Sequence, residues 1–128
     1  MTAPTPNAEL AYRVLDAIDA DPDSWDQGTW ASRVGCRTSA CFAGWACLLS
    51  GDNPQFHIGE ADTEHFMRGE ERHYAPVRAA QLLGVPTEMV FDRTGSTDGP
   101  LLFNACNTRE DLGRLVGEIF GPRPEAAS

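Results

Sequence analysis

The sequence predicts a mainly α-helical single domain, with α+β as the variant: a bundle around a buried central helix at about 40–49, plus a small β-hairpin near 55–67. Three observations predict this. Apolar residues recur at helical spacing in the stretches 8–20, 75–83 and 108–120. A fourth stretch, "ACFAGWACLL" from Ala40 to Leu49, is apolar on every side, the pattern of a helix buried all round. Finally, 128 residues, 41% of them hydrophobic, suit one core.

In chain order, residues 1–6 read as a Pro- and Thr-containing tail. Asn7 caps a first helix whose apolar stripe is Leu10, Ala11, Val14, Leu15 and Ile18, and Pro22 ends it. Asp16, Asp19, Asp21, Asp23 and Asp26 surround that exit and read as a solvated acidic surface. Asp19, Asp21 and Asp23 copy the first ligand positions of a calcium loop. Ser24 stands where that loop needs glycine, however, and Trp30 where it needs a bidentate glutamate, so calcium is not expected. Trp25 and Trp30 flank a turn at Gly28. They read as anchors of that loop on the core, with ligand stacking as the other use of such a pair.

Thr38 or Ser39 is the expected cap of the central helix, with Cys36 and Thr38 in the turn that starts it and Gly51 at its left-handed stop. Gly44 sacrifices about 1 kcal/mol of helix propensity against alanine, which predicts that another backbone comes close there. In the irregular middle, "QFHI" and "EHFM" form the hairpin and "RGEERHY" an exposed return. Pro76 opens a helix through Leu83 that stops at Gly84, and Pro86 starts a shorter one through Met89, Val90 and Phe91. "DRTGSTDGP" reads as a Gly-rich connector. Asn107 and Glu110 read as a capping box for the last helix, whose stripe is Leu112, Leu115, Val116, Ile119 and Phe120. The expected ordered core is about 7–121, with short flexible tails.

A formal net charge of −9 and the absence of lysine argue against nucleic acid, whose phosphates need clustered basic side chains. The longest apolar run is half a membrane span, and "MTAPTPNAEL" lacks the features of a signal peptide, so a cytoplasmic location is expected. In a reducing compartment the four cysteines are thiols or metal ligands rather than a disulfide framework.

Cys41, at a helix start, has the position of a reactive thiol, with His57, His65 and His73 as candidate bases and Asn104 or Asn107 for orientation. The opposite reading is a cysteine packed as a small hydrophobe. A zinc site could use Cys36, Cys41 and His57 or Cys106, but Cys41 and Cys47 lie about 240° apart around a helix and cannot easily share an ion. A reversible Cys36–Cys41 disulfide is a further option. No phosphate-loop, dinucleotide, nucleophile-elbow or zinc-protease motif occurs. No catalytic residue, metal or cofactor is therefore assigned.

"WDQGTW", "GCRTSACFAGWA", "AAQLLGV" and "NTREDLGRLV" together resemble a group of small uncharacterised proteins encoded by actinobacteria and their phages. That group's signature is C-G-T-x-x-C-x-A-G-W-A, between a Trp-containing turn and a late A-x-x-L-L-G-L helix. Cys36, Thr38, Cys41, Ala43, Gly44, Trp45 and Ala46 match it, while Arg37 replaces its glycine. The resemblance spans about Glu9 to Phe120 and implies a phage or mobile-element setting, with no reaction attached.

The leading expectation is a small acidic, non-enzymatic binding protein that engages a host protein through the Asp16–Asp26 surface. One alternative is a small-ligand site walled by Trp25, Trp30 and the 92–100 loop. The other is a thiol or zinc protein built on Cys36 and Cys41, with Thr38 between them. Nothing in the sequence sets the oligomeric state.

Overall fold

The computed structural model describes residues 7–34, 37–91, 101–104 and 107–124. Cys36, Cys106 and the 92–100 loop lie outside the described residues. The elements in order are α1 (Ala8–Ala20), a 3-10 turn (Pro22–Ser24), β1 (Ala31–Val34), β2 (Arg37–Ser39), α2 (Phe42–Leu49) and β3 (Asn53–Pro54). Then come β4 (Asp62–Thr63), β5 (His65–Arg68), β6 (Glu71–Tyr74), α3 (Ala75–Leu83), α4 (Thr87–Val90) and α5 (Arg109–Phe120).

The architecture is α+β, which corrects the expected helical bundle. Two three-stranded antiparallel sheets, in the orders β2-β1-β4 and β3-β5-β6, accompany the helices. Their strands are only two to four residues long, too short for an alternating pattern to stand out from the sequence. The expected hairpin near 55–67 is in part the pairing of β3 with β5, Asn53 opposite Met67. "RGEERHY" is the expected return, exposed from Arg68 to Arg72, and it is part of a strand pair. It turns at Gly69, whose φ of 61° suits a glycine-first hairpin turn, and runs back as β6 with Arg68 opposite Glu71.

The central helix is present but starts later than expected. Thr38 and Ser39, the expected cap candidates, belong to strand β2, and Cys41 is the N-cap, its Sγ accepting from the Gly44 N–H at 3.5 Å. Phe42, Ala43, Gly44, Ala46 and Cys47 are buried and α2 packs on α1 and α3. Gly44 lets it sit there: a Cβ at that position would overlap the Trp30 carbonyl oxygen and lie 2.7 Å from the Ala40 Cβ.

The other helices follow the expected stripes. Asn7 caps α1 by accepting from Leu10 N–H, and Leu10, Ala11, Val14, Leu15 and Ile18 are buried. α3 ends at Gly84 in the left-handed conformation, φ 72°. The capping box of α5 is Thr108 with Asp111, one residue beyond the expected Asn107 and Glu110. Asn107 is instead buried, and its amide donates to the carbonyls of Leu101 at 2.6 Å and Leu102 at 3.2 Å.

An ion pair ties the C-terminal end of α2 to α3. The Asp52 side chain is fully buried, and Arg78 donates to both its oxygens at 2.7 and 3.3 Å. Arg68 of β5 approaches the same carboxylate at 3.6 Å. A buried carboxylate is tolerable only with such partners.

Candidate functional site

The chain crosses from the first sheet to the second at Glu64, between β4 and β5. A groove of about 670 Å³ lies at this crossing. One wall is the 26–30 turn, contributing Asp26, Gly28, Thr29 and Trp30; the other is the 57–65 segment with His57, Glu60, Asp62, Thr63, Glu64 and His65, joined by Arg72 of β6.

The wall at Trp30 is held from below. Phe91 and Phe103 meet its indole edge-on, at centroid distances of 5.3 and 6.3 Å. Tyr74 continues the aromatic layer between Phe91, at 6.3 Å, and His65, at 5.9 Å. The turn is also fastened to the start of α2, since Cys41 N–H donates to the Thr29 carbonyl at 2.9 Å and Asp26 N–H to that of Ala40 at 3.0 Å. Gln27, buried in this turn, acts as a hub. Its Oε1 accepts from Trp25 Nε1 at 3.0 Å and Phe42 N–H at 3.2 Å, and its Nε2 donates to the Asn104 carbonyl at 3.0 Å.

Four carboxylates, Asp26, Glu60, Asp62 and Glu64, line the groove against the one guanidinium of Arg72. Asp26 accepts from Gly28 N–H at 2.9 Å and Asp62 from the Thr29 hydroxyl at 3.4 Å. Glu60 and Glu64 have no side-chain partner among the described residues. Arg72 donates to His65 Nδ1 at 3.1 Å, so the neutral ring carries its proton on Nε2. The indole N–H of Trp30 has no acceptor among the described residues, whereas those of Trp25 and Trp45 donate to Gln27 and the Ser24 carbonyl.

The expected acidic surface is mostly engaged within the molecule. Arg123 grips Asp16 with two hydrogen bonds of 2.9 Å, and Arg109 grips Asp19 at 2.7 and 2.9 Å, fastening α1 to the C-terminal segment and α5. Asp21 accepts from Arg37 and Ser24, and the Ser24 hydrogen bond holds its carboxyl below the usual range. Arg109 does the same for Asp19. The aspartates still face solvent, with Asp16, Asp19 and Asp23 exposed, but three of the five are ion-paired, and Asp26 lies in the groove.

Of the other expected site residues, Trp30 lines the groove, and Trp25 packs against the core with its indole on Gln27. Thr38 sits in β2 opposite Arg33. Cys41 is 1% exposed, and burial pushes its thiol up to about 12; burial also raises that of Cys47. Both are free thiols. A thiol kept neutral and away from solvent is a poor nucleophile, since the thiolate is the reactive form. Among the described residues no group of three or more His, Cys, Asp or Glu is placed to hold a metal ion.

Glu60, Asp62, Glu64 and Arg72 were not assigned to a site from the sequence, and His57 and His65 were read only as bases or a metal ligand beside Cys41. No periodic signal marks them: only Asp62 and Thr63 of this segment are strand, Ala61 and Glu64 are bends, and Thr63 and His65 line the groove beside them.

Compared with protein-family models, with curated proteins and with solved structures, the chain has no match. Among the described residues, no helix is long and apolar enough to cross a membrane.

Proposed function

We propose that this chain is a non-enzymatic binding protein and that a basic segment of a protein partner lies in the groove between the two sheets. The observation that carries the reading is the contrast in how carboxylates are neutralised. Asp16, Asp19, Asp21 and Asp52 each hold an arginine of the same chain, while Glu60 and Glu64 hold none among the described residues. Unpaired carboxylates lining one groove favour a cationic occupant and speed its encounter. The phage or mobile-element setting, and a host protein as the partner, rest on the sequence resemblance alone.

A small-molecule site is the second reading, favoured by one observation: about 670 Å³ falls within the size range of such sites. The lining of carboxylates and histidines fits a charged side chain better than the apolar walls typical of small-molecule pockets.

The test is titration of the full chain with a short peptide of alternating arginine, lysine and glycine, followed by tryptophan fluorescence. Binding is expected to weaken as salt is raised and to fall at least about tenfold in the triple variant Glu60→Gln, Asp62→Asn, Glu64→Gln. Asp23→Asn, outside the groove, should bind like the parent. A triple variant that binds as tightly as the parent would move the site elsewhere.

A further inference from the structure

Away from the groove, an arginine is already seated on α1, and it is the chain's own. After α5 the backbone turns at Gly121, φ 82°, and the segment from Gly121 to Arg123 lies against α1. The Arg123 guanidinium donates to both oxygens of Asp16, at 2.9 Å each. Its carbon stands 4.8 Å from the centre of the Tyr12 ring. The Tyr12 hydroxyl in turn donates to the Gly121 carbonyl at 2.6 Å. Tyr12 and Asp16 are four residues apart on α1, so both belong to one face of the helix.

We propose that this segment is a releasable strap, and that the Tyr12–Asp16 face of α1 beneath it takes an arginine of a partner peptide once Arg123 has left. The face makes three kinds of contact to the segment it now holds. They are a carboxylate matched to the guanidinium fork, a ring for the cation to lie on, and a donor for a main-chain carbonyl. An arginine on another peptide can meet all three in the same way. None of them belongs to the groove, so the strap stands or falls independently of it.

That the strap can open follows from its exposure. The side chains of Arg123 and Asp16 are 54% and 57% exposed, and an ion pair so open to water holds weakly and is screened by salt. The Arg78–Asp52 pair, whose carboxylate is fully buried, is the permanent counterpart. Arg109 grips Asp19 separately, so release of Arg123 leaves α5 fastened to α1. While closed, the strap excludes a competitor: a tethered arginine acts at an effective concentration in about the millimolar range.

The experiment titrates the capped tetrapeptide Gly-Pro-Arg-Pro, the sequence of 121–124, into the full chain and into its Arg123→Ala variant, followed by NMR. The variant is expected to bind the peptide about tenfold more tightly than the parent, because its tethered competitor is gone. The shifts should centre on Tyr12 to Asp19, and adding Asp16→Asn to Arg123→Ala should abolish the gain. Equal affinity for the parent and Arg123→Ala, or binding to neither, would overturn the strap. Shifts confined to the 57–65 segment, or a gain that survives Asp16→Asn, would overturn the α1 face as the seat of the arginine.

Discussion

Cys41 occupies a position that invites a chemical reading, at the start of an apolar helix, and its surroundings decide against it. The macrodipole favours a thiolate there, but burial of the whole side chain opposes charge more strongly, and the thiol rises to about 12. Labelling of the native protein with iodoacetamide at about pH 8 should therefore leave the Thr38–Arg68 tryptic peptide, which carries Cys41 and Cys47, unmodified until denaturant is added. Rapid labelling of that peptide in the folded protein would contradict the burial. The same shift has a consequence for stability. Above the usual value of 9.0 the unfolded chain loses the Cys41 proton and the folded chain keeps it up to about 12, so stability falls across that window. The urea midpoint should drop more between about pH 8 and pH 10.5 in the parent than in Cys41→Ala; equal drops would mean that the thiol ionises alike in both states. The cysteine pattern was legible as composition, but its environment was not, because burial depends on α1 and α3 arriving from distant parts of the chain.

The helices show what local patterning can carry. The stripe of α1, the Leu112, Leu115 and Val116 part of that of α5, and the stops at Gly84 and Gly121 were readable because helix spacing and caps are properties of neighbouring residues. The boundary of α2 was not readable: Thr38 and Ser39 have cap chemistry, yet they pair with Arg33 and Ser32 in the sheet, and Cys41 takes the cap. The α5 box moved one residue because Asn107 is used by the Leu101 and Leu102 carbonyls, which no local pattern reveals. Gly44 is the position where a sequence-level argument and the packing meet most closely. Its propensity cost implied a close neighbour, and the neighbour is the Trp30 carbonyl. Gly44→Ala should lower the unfolding free energy in urea by about 1–3 kcal/mol, despite the better helix propensity of alanine. Unchanged or higher stability would show that α2 and the 26–30 turn can separate freely. Since Trp30 is a wall of the groove, the helix also positions the site.

Across the whole molecule, charge is distributed unevenly in a way the net value of −9 conceals. Arginines from positions 37, 109 and 123 reach back to the aspartates around the end of α1, so the densest acidic run of the sequence is the most thoroughly paired. These partners lie from sixteen to over a hundred residues away, so adjacency in sequence was a poor guide to what is free. Glu60 and Glu64, without a side-chain partner among the described residues, lie on the 57–65 segment, whose opposite wall, Trp30 and the 26–30 turn, is joined to it only by the fold. Both sheets were needed to see the groove, and their short strands were the least legible part of the chain. If this groove holds a basic segment, mapping backbone amide shifts across the full chain with the basic peptide will locate it there. The largest shifts are expected at His57 to His65 and at the Trp30 indole N–H; shifts centred on α1 and α5, with the groove unmoved, would put the partner elsewhere.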